Sequence, residues 1–254
     1  MPQNSSDENR TSPGVVIAID GPAGAGKSTV AKALSDRLGF DFLDTGAMYR
    51  CVTLAILRSG VDPEDADSVA KIASGLDIEL RGETVLMGGD DVSREIRTPE
   101  VAGSIGKIAD NVKVRKTLTE LQRRWTRGRC VVTEGRDQGS EVFFDSPCKF
   151  YLYASSEERA RRRRVELSSR GIDMTLEEVR EQQDRRDAAD MSRPVGALRR
   201  AEDAQEFCTD GLELQQVVVQ LEGIVRERLQ AIGCEMKAAT QSEHSDSQGN
   251  AGNG

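Results

Sequence analysis

Near its N-terminus the chain reads Gly21-Pro22-Ala23-Gly24-Ala25-Gly26-Lys27-Ser28, which matches the phosphate-binding pattern G-x-x-x-x-G-K-[ST] at every fixed position. Its glycines let the backbone curl so tightly that successive N–H groups point at one polyphosphate. In this pattern the Lys27 ammonium is expected to reach the β- and γ-phosphates, and the Ser28 hydroxyl is expected to bind Mg2+. The octapeptide therefore predicts a loop that binds a nucleoside triphosphate.

The sequence on either side of the loop has the order that this motif requires. Residues 15–19 form a short β-branched apolar run, typical of a buried parallel strand, and Asp20 ends it. Residues 29–38 carry apolar side chains at helical spacing, and Gly39 is expected to end that helix. The pattern predicts an α/β protein with a P-loop NTPase fold, in which helices flank a parallel β-sheet core and a helix N-terminus faces the anion.

Composition excludes several classes of function. The net charge of −8 over 254 residues argues against a nucleic-acid polymer or an anionic membrane as the main partner. The only histidine, His244, lies in a polar tail, which excludes histidine-based triads and histidine-rich metal sites. Five cysteines without a C-x-x-C pair are typical of reduced thiols, so we expect a cytoplasmic protein. The sequence also predicts no membrane span and no secretory signal.

The terminal segments differ from the rest of the chain. Residues 1–13 and 235–254 are polar and lack periodicity, so they are predicted to be disordered tails on either side of one domain, residues 14–234. Within that domain, three short strand-like runs at 78–80, 84–87 and 91–92 predict a small antiparallel sheet that packs on the main body. Residues 112–125 predict an amphipathic helix whose arginines, including Arg115, are expected to face solvent.

Polar residues follow the predicted strands. Thr45 and Arg50 come after a strand at 40–43, where they could meet the phosphate of a second substrate, or act as a helix cap and a solvated arginine. Residues 130–134 form another buried-strand run ending in Glu134, which resembles a Walker B element and is therefore a candidate Mg2+ ligand.

Arginine is unusually frequent, at 27 of the 35 basic residues. Either arginine-rich codon usage or the handling of several phosphates in one pocket accounts for this excess. A run at 159 and 161–164 follows the strand 148–153 and an acidic helix start. Such a run is either a solvated helix face or a mobile lid that closes over a transferring phosphate.

A set of linked motifs between residues 15 and 232 resembles the bacterial cytidylate kinases. The motifs are Ile19-Asp20-Gly21-Pro22 with Gly24-Ala25-Gly26-Lys27-Ser28, Leu43-Asp44-Thr45-Gly46-Ala47-Met48-Tyr49-Arg50, Asp91-Val92-Ser93 with Glu95-Ile96-Arg97, Glu134-Gly135-Arg136-Asp137, Ser155-Ser156-Glu157-Glu158-Arg159-Ala160, Arg186-Asp187 with Asp190 and Arg193, and Ala201-Glu202-Asp203-Ala204. The resemblance implies transfer of the γ-phosphoryl group of ATP to CMP or dCMP, with Mg2+, in pyrimidine metabolism. It also implies that residues about 68–107 are a nucleoside-monophosphate-binding insertion and residues about 157–173 are the lid.

The resemblance assigns expected roles by position. The ATP-binding residues are Gly21, Pro22, Ala23, Gly24, Ala25, Gly26, Lys27, Ser28 and Thr29. The CMP phosphate is expected to contact Thr45, Arg50, Arg136 and Arg193. Arg115 and Asp137 are expected to read the cytosine, and Arg186 and Asp190 to hold the ribose. The expected catalytic residues are Lys27, Arg136, Arg162 and Arg193, and the expected Mg2+ ligands are Ser28 and Glu134.

Three positions depart from the family pattern. Glu134 stands where aspartate is frequent, Gly106 where some members have a base-contacting serine, and Ala197-Leu198 where a Pro-Leu pair follows the last arginine.

A phosphate oxygen of CMP is already an anion at neutral pH, so in-line attack on ATP requires no general base. The chain is expected to be a monomer because its sequence pattern indicates no exposed apolar face.

Other functions fit the phosphate loop alone. A kinase for UMP, AMP or an alcohol such as shikimate would need a different acceptor pocket, and an alcohol acceptor would need a general base. A GTP-binding switch would need an Asn-Lys-x-Asp motif, and no such tetrapeptide occurs. A nucleotide-binding protein without turnover is the third alternative, and only Glu134 favours it.

Overall fold

The computed structural model describes residues 14–169 and 171–234. The predicted tails, 1–13 and 235–254, lie outside the described residues. The central sheet contains five parallel strands: β1 (Val16–Asp20), β2 (Asp41–Asp44), β6 (Val131–Gly135), β7 (Cys148–Tyr153) and β8 (Gln205–Cys208). Their spatial order is β2-β6-β1-β7-β8, which confirms the predicted α/β class with a parallel core.

Eight α-helices accompany this sheet within the described residues: α1 (Lys27–Leu38), α2 (Thr45–Ser59), α3 (Ala66–Gly75), α4 (Pro99–Asp110), α5 (Val112–Trp125), α6 (Ser156–Ser169), α7 (Leu176–Ser192) and α8 (Leu214–Ala231). Helices α1 and α8 cover one face of the sheet, where their apolar side chains pack on those of β1 and β7. Helices α2, α3 and α5 cover the other face. The three central strands, β1, β6 and β7, are therefore mostly buried, which explains why they read as apolar runs, while the edge strands β2 and β8 stay partly exposed.

A second, antiparallel sheet consists of β3 (Ile78–Arg81), β4 (Thr84–Met87) and β5 (Asp90–Asp91). It confirms the three strand-like runs within one residue at each end. Val85 and Met87 of β4 pack with Ala47, Cys51 and Leu54 of α2 in a separate apolar cluster. The small sheet is thus held against α2, as expected of a sheet too small to be stable alone.

Local signals set several helix ends. Gly39 ends α1 in the left-handed region, with φ of 68°, as predicted. Asp44 caps α2, since its side chain accepts from the Ala47 backbone N–H at 2.9 Å. Thr175 and Glu178 have the spacing that predicts a capping box, and they form one at the start of α7.

Three features differ from the sequence expectation. Arg115 of α5 is buried, not solvated, because it has an acidic partner elsewhere in the fold. The helical spacing of Leu214 with Val217, Val218, Leu221 and Val225 predicts that it faces inward, but it is 41% exposed because it is the first residue of α8 and the buried stripe begins at Val217. Residues Gln138–Val142 form a short π-helical turn that no periodicity predicts, since five residues are too few to show one.

No helix within residues 14–169 and 171–234 is long and apolar enough to cross a membrane.

Candidate functional site

The phosphate loop joins the carboxyl end of β1 to the N-terminus of α1. Gly24 and Gly26 adopt positive φ angles of 78° and 85°, which favour glycine. At Gly21 a Cβ would lie 1.9 Å from the carbonyl oxygen of Leu152 on the neighbouring strand β7. The glycines thus serve two purposes, since two of them turn the loop and the third lets it pass close to the sheet.

Lys27 is buried at the first position of α1. Its ammonium donates to the Pro22 carbonyl at 2.8 Å, across the loop. Burial lowers the pKa of Lys27 to about 7, and the positive charge of Arg136 acts in the same direction. A polyphosphate bound in the loop would place negative charge beside the buried Lys27 ammonium and favour its charged form.

Ser28 and Glu134, the two predicted metal ligands, lie together. The Ser28 hydroxyl donates to Oε1 of Glu134 at 2.9 Å. This contact follows from strand register, because Glu134 on β6 is level with Ile19 on β1, immediately before the loop. Hydroxyl and carboxylate oxygens are ligands that suit Mg2+.

A second carboxylate lies near this pair. Burial raises the pKa of Asp44, and the negative charge of Glu134 raises it further. A cation between these groups would relieve that repulsion, so the residues present fit Mg2+. No group of three or more His, Cys, Asp or Glu side chains within the described chain could hold a metal by itself. The ion would therefore take its remaining oxygens from phosphates and water, as Mg2+ usually does.

A cavity of about 330 Å3, here called the central cavity, opens beside Glu134 between α2, α4, α5 and α7. Among its lining residues are seven of the eight predicted acceptor-binding residues, namely Thr45, Arg115, Arg136, Asp137, Arg186, Asp190 and Arg193. The eighth, Arg50, is half-buried on α2 and is not part of the lining, although its charge acts on Asp44. Gly106 of α4 does line the cavity, so the departure from the family pattern there lies at its wall.

Asp190 organises two of the arginines. Its Oδ2 accepts from Nε of Arg136 at 2.8 Å, and its Oδ1 lies 2.8 Å from Nη1 of Arg193. Arg193 also donates to Asp110 of α4 at 2.6 Å. Burial alone would lower the pKa of Arg136. The negative charges of Asp190 and Glu134 outweigh that effect, so the pKa is raised. Asp190 therefore holds both guanidinium groups in a fixed orientation at the cavity wall.

Arg186 of α7 is a third arginine in the cavity wall. Desolvation by the surrounding protein lowers its pKa, and the neighbouring Arg136 lowers it further. Its own surface remains exposed at the cavity mouth. The four arginines of the wall are matched in number by the carboxylates of Asp110, Glu134, Asp137 and Asp190, so an anionic ligand beside Arg186 would relieve its repulsion from Arg136 and not a net charge of the wall.

Arg115 and Asp137 form a buried ion pair deeper in the cavity. Nη2 of Arg115 donates to Oδ2 of Asp137 at 2.6 Å, and the two side chains are 5% and 8% exposed. The Arg115 guanidinium lies 5.4 Å from the centre of the Tyr49 ring and donates to the Ala109 carbonyl at 3.0 Å. Its Nε has no partner among the described residues. The pair presents a donor and an acceptor together, which suits recognition of a polar base edge.

Thr45 is buried at the start of α2. Its hydroxyl donates to the backbone carbonyl of Glu134 at 2.7 Å. Asp44, not Thr45, caps the helix, so the alternative of a capping threonine is wrong. Thr45 instead connects the end of β2 to the end of β6 at the cavity wall.

The arginine run on α6 divides between two environments. Arg161 and Arg163 pair with acidic residues on their own helix, at the surface. Arg162 donates to Glu158 at 2.7 Å and to the hydroxyl and carbonyl of Thr209, at 3.0 and 2.7 Å. Arg162 and Thr209 line a second cavity of about 260 Å3 beside Ala25 and Gly26 of the phosphate loop, here called the side cavity. Arg162 therefore lies next to the loop but outside the central cavity.

Several residues at the site carried no role in the sequence interpretation. Tyr49 and Asp110 line the central cavity, and Thr209 lines the side cavity. Tyr49 belongs to the motif Leu43 to Arg50, and its place in that motif is the one feature of the sequence that could have identified it as a site residue. Asp110 and Thr209 are ordinary polar residues near helix or strand ends, and only the folded structure brings them to the site.

Comparison with known proteins gives one consistent result. The cytidylate kinase family description matches residues 17–227. The chain is 46% identical over 217 residues to the cytidylate kinase of Rhodopirellula baltica, covering 85% of this chain and 95% of that protein. It is 43% identical over 222 residues to the cytidylate kinase of Geobacter sulfurreducens, covering 86% and 95% of the two chains. For the cytidylate kinase of Caldanaerobacter subterraneus subsp. tengcongensis the identity is 44% over 213 residues, covering 84% and 95%. This chain belongs to the cytidylate kinase family.

Proposed function

We propose that this protein transfers the γ-phosphoryl group of ATP to CMP and to dCMP, giving ADP and CDP or dCDP. The observation that carries the proposal is the position of Glu134. Its carboxylate accepts from Ser28 of the phosphate loop and also lines the central cavity. A donor phosphate in the loop and an acceptor in the cavity would therefore meet at one point, as direct transfer between two bound nucleotides requires.

The central cavity fits a nucleoside monophosphate. Its volume of about 330 Å3 is within the usual range for a small-molecule site. Arg136 and Arg193 supply planar guanidinium groups for the phosphate, and Asp190 fixes the orientation of both. Arg50 and Thr45 remain proposed phosphate contacts at the α2 side.

The buried pair of Arg115 and Asp137 supports selection of cytosine. Cytosine offers an amine donor at N4, and uracil offers an acceptor at the same position. A carboxylate accepts from the amine and repels the uracil oxygen, while the guanidinium donates to the base acceptors. Asp190, the proposed ribose contact, already binds two arginines. It therefore keeps its partners when the ribose has no 2′-hydroxyl, which supports acceptance of dCMP as well as CMP.

The proposed chemistry uses position and charge. A CMP phosphate oxygen attacks in line and is already anionic, so no side chain has to remove a proton. Lys27 approaches from the loop, Arg136 and Arg193 approach from the cavity, and Arg162 approaches from α6 as part of the proposed lid, residues about 157–173. Ser28 and Glu134 would hold Mg2+, which neutralises phosphate charge when it is bound.

Further parts of the proposal concern organisation. We take residues 14–234 as one domain, in which residues about 68–107 close over the acceptor. We propose a monomer in the cytoplasm, where ATP and CMP are both available. Light scattering at working concentration measures the oligomeric state, and a dimeric mass would contradict it.

The test is a coupled ADP-release assay with ATP and Mg2+, offering CMP, dCMP, UMP, AMP, GMP and shikimate in parallel. The expected result is rapid turnover with CMP and dCMP only. Turnover with a different acceptor, or none with CMP, would contradict the proposal.

A matched pair of variants tests the role of the loop. Lys27→Met is expected to lower turnover by several orders of magnitude, since it removes a charge that acts in the transition state. Lys32→Met removes an exposed lysine of the same helix, whose partner Glu83 lies in the turn between β3 and β4, and this variant is expected to retain wild-type turnover. Near-normal turnover of the Lys27 variant would show that the loop does not bind the donor.

A further inference from the structure

Helices α6 and α7 form a hairpin with an apolar core of its own. Ala160, Leu167 and Val179 are buried against each other, with Leu176 packed beside them. This cluster is separate from the clusters on both faces of the central sheet. The hairpin is therefore a unit whose attachment to the rest of the protein depends on the residues at its base.

Two buried charged residues make that attachment. Arg159 is near the start of α6 and Asp187 is near the end of α7, and they are 7% and 6% exposed. Nη1 of Arg159 lies 2.5 Å from Oδ2 of Asp187. They lie 28 residues apart in the chain, and neither residue has a role of its own among those that the family resemblance assigns.

Both residues bind the backbone of one residue in the phosphate loop. The Ala23 N–H donates to Oδ1 of Asp187 at 2.9 Å. The Ala23 carbonyl accepts from Nη1 of Arg159, also at 2.9 Å. Gln183, one turn before Asp187, is so close to the loop that a Cβ on Gly24 would lie 2.4 Å from its Nε2. The pair thus binds the loop at both polar groups of a single residue.

The same helix also reaches the central cavity. Asp190, three residues after Asp187, orients Arg136 and Arg193. Residues three apart lie on neighbouring positions of one helix face, about 4.5 Å apart along the axis. One turn of α7 therefore connects the loop proposed to hold the donor with the arginines proposed to hold the acceptor.

The arrangement is poorly suited to stabilisation alone. Nε of Arg159 and Oε1 of Gln183 are buried without a hydrogen-bond partner among the described residues. An incompletely satisfied buried ion pair is commonly no better for stability than apolar side chains of similar volume. Its distinctive property is the fixed position that it gives to Ala23.

We propose that Arg159 and Asp187 are positioning residues, which hold the phosphate loop at the correct distance from Arg136 and Arg193, the proposed acceptor arginines that Asp190 of α7 orients. The inference deepens the proposed function and rests on it. Neither side chain is proposed to touch the reacting atoms. Their removal moves the loop, and therefore the donor, while the central cavity keeps its own contacts.

The experiment compares Asp187→Asn, Arg159→Met and Arg159→Lys with the wild-type enzyme. Arg185→Gln is the control, because Arg185 forms an exposed pair with Glu181 on the same helix. For each protein, kcat and the KM values for ATP and CMP are measured, together with the melting temperature. Binding of a fluorescent ATP analogue is measured separately in the absence of CMP.

We expect Asp187→Asn and Arg159→Met to lower kcat/KM for ATP by about 100-fold, the loss typical of a 1 Å misplacement. The KM for CMP is expected to stay within about twofold of wild type, and Arg159→Lys is expected to recover part of the loss. Arg185→Gln is expected to match wild type in every measurement.

Three outcomes would overturn the inference. The first is wild-type kinetics in both Asp187→Asn and Arg159→Met. The second is a KM for CMP that rises as much as the KM for ATP in these two variants. The third is an activity loss that the unfolded fraction fully explains. If wild-type protein does not phosphorylate CMP, the proposed function fails. The binding experiment then still tests the effect of the pair on the loop, and unaltered binding of the ATP analogue by both variants would overturn it.

Discussion

Gly196 offers a direct test of how Arg115 and Asp137, the proposed base-reading pair, are held. This residue follows α7 with φ of 67°, and its N–H donates to Glu141 at 2.9 Å. A Cβ there would lie 1.7 Å from Nη2 and 1.9 Å from Cζ of Arg115. Such distances are impossible for real atoms, so Gly196→Ala must displace the Arg115 guanidinium from its contact with Asp137.

The magnitude has two parts. Alanine in the left-handed region costs about 1 kcal/mol of folding stability. Displacing Arg115 weakens a buried ion pair, and a buried charge that loses its partner costs about 3 to 5 kcal/mol. For binding, loss of a hydrogen bond to a charged group costs about 1.5 to 3 kcal/mol, which corresponds to a rise of roughly 10- to 100-fold in the KM for CMP.

Gly60→Ala separates these two parts. Gly60 has φ of 69°, nearly the same as Gly196, but no atom lies within 4 Å of the position that its Cβ would take. It is expected to show the backbone cost alone, measured by urea unfolding, with unchanged kinetics. Gly196→Ala is expected to lose more stability and to raise the KM for CMP, with the KM for ATP unchanged. Equal KM values for CMP in the two variants would refute the view that Gly196 holds Arg115 in place.

Three further predictions follow from the site. Glu134→Gln is expected to raise the Mg2+ concentration needed for half-maximal turnover by about tenfold, because it removes a charged ligand; an unchanged Mg2+ titration would contradict this role. Arg162→Met is expected to raise the KM for ATP and not that for CMP in steady-state assays, because Arg162 lines the side cavity next to the loop; a selective rise for CMP would contradict that position. Asp20 accepts from the backbone N–H groups of Gln138 and Gly139, but burial raises its pKa from 3.8 to about 7. The folded protein therefore binds more protons than the unfolded chain between these values, so Asp20 makes stability fall as pH rises through that window, by up to about 1.4 kcal/mol per pH unit. Asp20→Asn is expected to remove this slope in urea unfolding at pH 5, 6 and 7, and parallel curves for the two proteins would rule it out.

The sequence was sufficient for the fold class and for the local structure of the phosphate loop. The phosphate loop, its flanking strand and its helix are contiguous, so their pattern is fully present in one short segment. Strand β7 and helix α5 have the predicted bounds, because apolar runs and helical periodicity report local structure directly. Ser28 and Glu134, each predicted to bind Mg2+, lie together in the structure because carboxyl ends of parallel strands in one sheet lie side by side.

The acceptor side depended on the tertiary structure. Helical periodicity assigns Arg115 to a polar face, and only the contact with Asp137, 22 residues away, explains why it is buried. Asp187 is likewise one charged residue in a charged helix until the fold brings it to Ala23, 164 residues away. The need for glycine at position 196 depends on the guanidinium that lies against it. Local pattern determines which elements form and which faces are apolar, because those properties depend on near neighbours along the chain. The partner of a buried charge depends on which distant elements pack together, and that was decided only by the folded structure.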